Sequence, residues 1–212
     1  MVGGTPAAAA GDGASYAFSA HQPGYSSVPV TYDSCRPVHV VVNDDLAPPG
    51  ADGLLDSALE EVSGASGLRF VRDGRTDELP RQERPLRDPR RYGGRWAPVL
   101  VAWTTPEQSH GLRGDVVGLG GSASVAGPSG RLHYVTGSVS LDAPALARIL
   151  RTPGRGGLLA RSVMMHELGH VLGLAHVDDT GEIMSPKDGH RTSLGEGDRA
   201  GLRRLGSGPC SF

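Results

Sequence analysis

The sequence predicts an α+β fold in which several strands accompany a long buried helix and a C-terminal helix closes the domain. Three observations lead to this class. Apolar runs at residues 38–42 and 98–103 have the length and composition of strands. Other segments repeat apolar residues at helical spacing. A length of 212 residues allows one domain with a sizeable core.

Residues 1–27 are rich in Gly, Ala and Ser and show neither a helical nor a strand period. A segment with so little apolar surface does not offset the entropy lost on folding, so we predict a disordered N-terminal arm. Residues 28–212 are then predicted to form the single folded domain.

The first elements of this domain are predicted between residues 38 and 71. The run 38–42 predicts a buried strand, and residues 68–71 predict a second one. Between them, Pro48-Pro49-Gly50 breaks the chain, and five apolar residues at helical spacing predict a helix that runs to about residue 64. These five are Leu54, Leu55, Ala58, Leu59 and Val62.

Residues 72–95 have a different composition, with eight arginines, five acidic residues and three prolines. Because little of the segment is apolar, it predicts a solvated loop whose arginines face water or local acids. Eight minus five leaves a local excess of +3, so a basic patch that docks substrate is the alternative.

Further strands are predicted along the next part of the chain. Residues 98–103 form a clear strand pattern, and residues 122–125 follow a glycine-rich stretch at 114–121. Residues 132–141 predict either one strand or a kinked pair.

Two helices are predicted after these strands. The segment 157–173 is apolar around most of its helical surface, which places it inside the molecule. Residues 194–205 predict a closing helix with Ser193 as its N-cap.

The predicted buried helix contains the pattern HExxHxxGxxH, which runs from His166 to His176. Residues four apart on a helix lie about 40° from each other around the axis and about 6 Å along it, so His166 and His170 can direct two imidazoles at one metal ion. Glu167 lies on the neighbouring face, where its carboxylate reaches a water held by the metal more easily than the metal itself. The spacing therefore predicts a zinc site with its own general base.

The third histidine of the pattern needs a bend in the chain. In a continued helix, His176 would lie roughly 240° round from His170 and about 9 Å further along the axis, out of reach of the same ion. Gly173 supplies the bend, because glycine adopts the left-handed conformation that ends a helix and turns the chain back. A chance HExxH in a surface helix would not carry this glycine and third histidine.

A methionine follows the motif at a defined distance. Met184 lies eight residues after His176, in the segment Gly181-Glu182-Ile183-Met184-Ser185-Pro186. A methionine followed by a tight turn at this position resembles the Met-turn of the metzincin zinc peptidases, where the methionine forms a hydrophobic floor beneath the metal. An ordinary buried core residue is the alternative for Met184 taken alone.

Two cysteines stand near opposite ends of the predicted domain, Cys35 before the first strand and Cys210 three residues from the end of the sequence. With no other thiol to pair with, they predict a disulfide that fastens the two ends and an oxidising compartment. Two alternatives stay open. The cysteines could be free buried thiols, or the Cys35 thiolate could cap the zinc and hold a latent form shut.

Charge and hydropathy exclude several partners. A net charge of −2 gives no indication of nucleic acid or an anionic membrane as partner. No apolar run approaches the ~18 residues of a transmembrane helix. No Lys or Arg precedes Arg36 and the arm has no long apolar core, so we expect a secreted protein whose leader is missing from this sequence. We expect a monomer.

With these residues in view, the chain resembles the catalytic domain of the metzincin zinc metallopeptidases over roughly residues 28–208. This resemblance implies a twisted mixed sheet with a zinc-binding helix, a Met-turn and a C-terminal helix. The eight-residue step from His176 to Met184 is most similar to the matrixin branch, as is the closing pattern Ser-Leu-Gly-x-Gly-Asp-x-x-Gly-Leu-x-x-Leu-Gly. One lysine against twenty arginines, with abundant Gly and Ala, is typical of a GC-rich genome, which favours the bacterial members of this branch.

The resemblance implies one catalytic zinc bound by His166, His170 and His176, with Met184 in the Met-turn. Glu167 is expected to take a proton from the zinc-bound water as that water attacks the scissile carbonyl, and to pass it to the departing amine. An extended polypeptide substrate is expected to pair with an edge strand at Leu119, Gly120, Gly121, Ser122 and Ala123. The expected activity is that of a zinc metalloendopeptidase. Its specificity pocket would lie between the zinc helix and the segment after Met184.

Some residues depart from the family pattern. Val177 stands where animal matrixins carry serine, Ser185 stands where tyrosine is frequent, and the segment around Cys35 lacks the residues of the matrixin cysteine switch. A second zinc is not expected, since the spacing of His110, Asp115 and His133 does not match the structural zinc site of matrixins. Calcium is possible, with Asp44, Asp45 and Asp142 as candidate loop ligands.

Several properties stay open on the sequence alone. Asp178 and Asp179 either hydrogen-bond a ligating ring or face solvent. A scaffold that binds zinc and peptide without cleaving is one alternative function, and a hydrolase of small amides or cell-wall peptides is another.

Overall fold

The computed structural model of the chain describes residues 15–187 and 191–210. Its strands are Ala17–Phe18 (β1), His21–Gln22 (β2), Tyr25–Pro29 (β3), Val38–Asn43 (β4), Phe70–Arg75 (β5), Val99–Thr104 (β6), Gly118–Ala126 (β7), Leu132–Asp142 (β8) and Leu174–Ala175 (β9). Its helices are Ala51–Ser66 (α1), Pro89–Tyr92 (α2), Ala143–Leu150 (α3), Gly156–Leu172 (α4) and Glu196–Gly206 (α5), with a 3₁₀ turn at His110–Leu112.

The central feature is a five-stranded mixed sheet in the order β5-β4-β6-β8-β7. The first four strands in this order run parallel, whereas β7 pairs antiparallel with β8 and forms the sheet edge. The α+β class with a mixed sheet is therefore confirmed. The stretch predicted as one strand or a kinked pair is the single strand β8, and part of the glycine-rich stretch belongs to β7.

Helices α1 and α4 pack on one face of this sheet, which we call the inner face. Successive strand residues point to opposite faces, so alternate apolar residues of the strands meet the helices here. They include Val40, Val42, Val99, Val101, Trp103, Val139 and Leu141, all buried. Helix α4 adds ten buried residues of its seventeen, which explains why its sequence is apolar on nearly all sides.

The N-terminal segment differs from the predicted disordered arm over residues 15–27. Strand β1 pairs antiparallel with β9, directly before His176, and β2 pairs with β3. Phe18 is only 8% exposed. Two apolar side chains and a ladder of backbone hydrogen bonds are enough to order this segment, although its overall composition is polar. Residues 1–14 of the predicted arm lie outside the described residues.

Other elements also depart from the predicted boundaries. Helix α3 was not expected; the Asp142 carboxylate caps it by accepting the Ala145 N–H at 2.8 Å. Helix α5 begins at Glu196 with Gly195 at the N-cap, so the predicted Ser193 cap is wrong.

The arginine-rich segment is only partly solvated. Arg91 pairs with the local acids Asp77 and Asp88, as the solvated-loop hypothesis expects. Arg84 instead has a side chain 7% exposed, and its Nε and Nη2 donate to the Glu78 carboxylate at 2.8 and 2.9 Å. Its Nη1 also donates to Thr136 Oγ1 and to the Gly137 carbonyl of β8. This charge pair fastens the segment to the outer face of the sheet.

Cys35 and Cys210 form a disulfide, with their Cα atoms 5.2 Å apart. The bridge joins positions 175 residues apart in sequence, and it rules out a role for Cys35 as a thiolate cap on a metal. No helix within 15–187 and 191–210 is long and apolar enough to cross a membrane.

Candidate active site

Helix α4 brings His166, Glu167 and His170 to the sheet edge at β7. It ends where the sequence predicts, because Gly173 has φ 117° and donates its N–H to the carbonyls of Gly169 and His170. The reversed chain then forms β9 and delivers His176 back to the helix.

The three imidazoles converge on one point. The Nε2 atoms of His166, His170 and His176 form a triangle with sides of 3.0, 3.1 and 3.1 Å. Zinc binds imidazole nitrogen at about 2.0–2.1 Å, and angles of about 95–110° between ligands then separate their nitrogens by about 3.0–3.4 Å. The triangle therefore has the size of a zinc site.

The tautomers of the rings support the same conclusion. His166 Nδ1 donates to the Ile183 carbonyl at 2.7 Å, and His170 Nδ1 donates to the Leu174 carbonyl at 2.9 Å. A carbonyl can only accept, so the proton of each neutral ring is on Nδ1 and a lone pair is on Nε2. Lone pairs that face each other at 3.1 Å repel unless a cation lies between them. The donor set thus fits a divalent zinc ion.

Burial keeps the imidazoles neutral. It lowers the pKa of His170 to about 4, with the nearby His166 ring adding to the effect. The pKa values of His166 and His176 are also lowered, mainly by burial. Metal ligation needs the neutral ring, so the fold prepares these side chains to bind an ion at neutral pH.

Glu167 lies beside the triad but is not part of it. Its side chain is 6% exposed, and burial raises its pKa to about 8, an effect partly offset by the N–H that Gly120 donates to the carboxylate. A bound dication would favour the ionised form and lower this pKa. A carboxylate whose pKa lies near the working pH suits proton transfer in both directions.

Met184 is buried beneath this site. Its carbonyl accepts the Val177 N–H at 3.2 Å, directly after the third histidine. A methyl group added at Gly169 in α4 would come within 2.7 Å of the Met184 Sδ. The Met184 thioether thus packs against α4 at Gly169, the residue directly before His170.

Two buried carboxylates fix the turn around Met184, and sequence analysis missed both. Asp198 in α5 accepts the N–H groups of Ile183 and Met184 at 2.6 and 3.2 Å. Glu182 reciprocates by accepting the N–H groups of Gly197 and Asp198 at 3.0 and 2.7 Å. The Ile183 carbonyl accepts a hydrogen bond from His166, so this pair of carboxylates supports the orientation of His166 indirectly, through Ile183. No local sequence signal identifies it, since the partners belong to separate elements.

A cleft of about 520 Å³ opens beside the triad. One side is formed by residues 115–120, and the other by α4 and by Ile183, Ser185, Pro186 and Arg191. Of the predicted substrate-binding residues, Leu119 and Gly120 line this cleft. Gly121, Ser122 and Ala123 line a second cavity of about 870 Å³, which shares Leu119 and Gly120 with the first. The Ser122 hydroxyl itself turns to α4 and donates to the Val171 carbonyl.

Other predicted acidic residues are not at the site. Asp178 is exposed and pairs with Lys187, and Asp179 accepts the Gly181 N–H, so neither orients a ligating ring. Among the described residues, Asp44, Asp45 and Asp142 are not gathered into a group that could hold a metal. Asp142 caps α3, and Asp44 pairs with Arg75 at 2.5 Å.

Fold and site together define a zinc metalloprotease of the metzincin type. Residues 102–205, from β6 to the end of α5, match the profile of the matrixin family. Within that class, the chain is matrixin-like.

Two solved structures match the chain over most of its length. The chain is similar to archaemetzincin from Methanopyrus kandleri, with 20% identity, a TM-score of 0.51, and coverage of 79% of this chain and 93% of that one. It also matches high choriolytic enzyme 1, a hatching-enzyme zinc protease from the medaka fish Oryzias latipes, at 14% identity and a TM-score of 0.40, covering 84% and 93% of the two chains. No curated protein sequence matches the chain.

Proposed function

We propose that this chain is a zinc-dependent endopeptidase that hydrolyses peptide bonds in extended polypeptides. The observation that carries the proposal is the convergence of three neutral imidazoles beside a buried carboxylate at an open sheet edge. Each of these parts has a separate chemical task.

His166, His170 and His176 would hold the zinc ion through their Nε2 atoms, with Met184 packed below. When bound, zinc supplies Lewis acidity that polarises a carbonyl oxygen and lowers the pKa of water at the site toward ~7. The Nδ1 hydrogen bonds to Ile183 and Leu174 fix the ring orientations and make the ligating nitrogens more basic.

Glu167 is the proposed general base and acid. Its carboxylate accepts a proton from the attacking water and later donates that proton to the departing amine. The burial that raises the pKa of Glu167 to about 8 supports this assignment. A carboxylate with this pKa is basic enough to accept a proton from the water and acidic enough to donate it to the amine.

Strand β7 is the proposed substrate platform. Among the described strands it pairs only with β8, so the backbone groups along its other edge are available to an extended peptide. Leu119 is 41% exposed there. The cleft beside the triad is bounded by this open strand edge, which favours a polypeptide over a small amide.

The remaining properties are also part of the proposal. The specificity pocket would lie between α4 and the segment after Met184, where Ser185 and Pro186 line the cleft. A disulfide persists in oxidising compartments, so we propose a secreted protein. Residues 28–212 are proposed as its catalytic domain, acting as a monomer.

The test compares casein cleavage by the zinc-loaded protein and by Glu167→Ala at matched zinc content. We expect cleavage by the parent and a loss of at least about 10²–10⁴-fold in the variant, the usual contribution of a general acid–base group. Chelation of the metal should abolish the activity and added zinc should restore it.

Asp179→Ala is the matched control, because this carboxylate is exposed and bonds only within its own turn. Activity that survives both Glu167→Ala and chelation would contradict the proposal. A parent that binds one zinc and cleaves neither casein nor a peptide library would favour a binding module.

A further inference from the structure

The inner face of β7 is unusually bare where it meets the site. Alternate residues of a strand point to the same face, and on this face β7 presents Gly118, Gly120 and Ser122 in succession. Each lies against α4: Ser122 donates to the Val171 carbonyl at 2.7 Å, and the two glycines lie against Glu167. The strand therefore approaches the helix most closely at the proposed general base.

Gly118 lies against the side chain of Glu167. A Cβ atom at this position would be 2.6 Å from Oε1, 2.7 Å from Cγ and 2.9 Å from Cδ of Glu167. Carbon atoms do not approach this closely without displacement. The atoms that would move belong to the end of a flexible side chain, so the fold would tolerate a methyl group while the carboxylate would leave its place.

Gly120 lies against the backbone of the same residue. A Cβ atom here would be 2.2 Å from the Glu167 carbonyl oxygen and 3.0 Å from its Cα, and a helix backbone cannot yield alone. The Gly120 N–H also donates to the Glu167 carboxylate. This glycine thus sets how near the helix lies to the strand and supplies a donor to the carboxylate.

We infer that Gly118 and Gly120 are positioning residues for Glu167, with Gly118 shaping the space of its carboxylate and Gly120 setting the distance between α4 and β7. The inference rests on the proposed function for its catalytic part. Neither glycine has a positive φ, so the demand for glycine at both positions comes from the close approach and not from backbone conformation.

The kinetic test uses Gly118→Ala. We expect a folded protein with one zinc and unchanged zinc affinity, a kcat lowered about 10²-fold and an unchanged KM, because misplacement of a catalytic group by about 1 Å has effects of this size. Gly120→Ala should lower zinc affinity and thermal stability as well. Gly64→Ala is the control, since its added methyl meets no atom within 4 Å and lies in α1, away from the cleft.

A double-mutant cycle on the metal-free protein tests the contact without any catalysis. Gly118→Ala should lower the Tm of the parent by about 2–4 °C, whereas in a Glu167→Ala background the same change should leave the Tm unaltered, because the colliding side chain is gone. This arm gives an answer even if the parent proves to have no peptidase activity.

Two results would overturn the inference. One is an equal Tm shift in both backgrounds, which would mean that the added methyl acts elsewhere than on Glu167. The other is a fall in kcat for Gly64→Ala as large as that for Gly118→Ala. The Gly64 methyl meets no atom within 4 Å and lies in α1, away from the cleft, so such a fall would show that the effect does not come from the contact with Glu167.

Discussion

At the residue scale, the site joins an acid and three bases whose pKa values burial moves in opposite directions. Burial raises the pKa of Glu167 to about 8 and lowers that of His170 to about 4. Both shifts disfavour charge, and burial lowers the pKa values of His166 and His176 as well, so burial favours the neutral form of all four groups in the metal-free site. A dication is then bound by lone pairs that are already free, and its charge favours release of the Glu167 proton.

This arrangement makes the stability of the metal-free protein depend on pH through Glu167. The folded-state pKa of about 8 is higher than the unfolded value of about 4.3, so stability falls as pH rises from about 4 to about 8. Glu167→Gln removes the charge and keeps the shape. We expect the metal-free variant to exceed the parent in free energy of unfolding by about 1–3 kcal/mol at pH 8, and by less at pH 5.5.

Urea denaturation of both proteins in the presence of a chelator measures this difference. Parent and variant differ only at the carboxyl group, so the comparison reports its contribution. A difference that is the same at pH 5.5 and pH 8 would contradict the assigned pKa shift.

At the element scale, two carboxylates hold the turn between β9 and α5. Glu182 in the turn accepts backbone N–H groups of α5, and Asp198 in α5 accepts backbone N–H groups of the turn. Asp198 accepts N–H groups from Ile183, Met184 and Gly195. The Ile183 carbonyl in turn accepts from His166. The orientation of a ligating ring therefore depends on a residue in a different helix.

Replacing Asp198 tests this dependence. In Asp198→Ala three buried N–H groups lose their acceptor, so we expect a stability loss of about 1–3 kcal/mol. We also expect zinc affinity to weaken by about 10–100-fold, as for other groups that support metal ligands. Competition with a chromophoric chelator at a temperature where the variant is fully folded measures the affinity. Zinc affinity equal to that of the parent would show that His166 keeps its orientation without the turn.

The sequence predicts some elements well for a physical reason. The ligand spacing, the bend at Gly173 and the apolar surface of α4 are local or periodic features, so neighbouring residues carry the information. Strands β4 and β6 are likewise recognisable from continuous apolar runs. Site features that depend only on local geometry can therefore be recognised from the sequence.

Other parts depend on contacts between distant segments. The carboxylates of Glu182 and Asp198 look like ordinary surface acids until α5 docks on the turn. Strand β1 has only two residues, and nothing in them indicates their partner near residue 175. Gly118 lies in a glycine-rich stretch without an apolar strand pattern, yet it belongs to β7, against which α4 packs.

At the scale of the whole molecule, the Cys35–Cys210 disulfide closes nearly the entire domain into one loop. The unfolded chain loses the conformational entropy of a 175-residue separation, which corresponds to about 4–5 kcal/mol in the chain-entropy model. The fold on either side of the bridge is also held by other contacts, since the Ser34 hydroxyl donates to the Gly208 carbonyl at 2.6 Å.

We therefore expect the double variant Cys35→Ala/Cys210→Ala to fold with a lower Tm. At about 2–4 °C per kcal/mol for a chain of this size, the decrease would be roughly 8–20 °C. Calorimetry of the variant, with the reduced parent for comparison, measures it. An unchanged Tm would mean that the unfolded chain is already compact enough for the bridge to restrict little.

The pairing of the active-site turn with α5 also orders events during synthesis. All three histidines leave the ribosome before Asp198 does, so a nascent chain carries the ligands without the contact that orients His166 through Ile183. Domains of this kind complete their tertiary packing only when the whole chain is available. We therefore expect an unfinished chain that lacks α5 to orient its zinc ligands less well than the complete domain does.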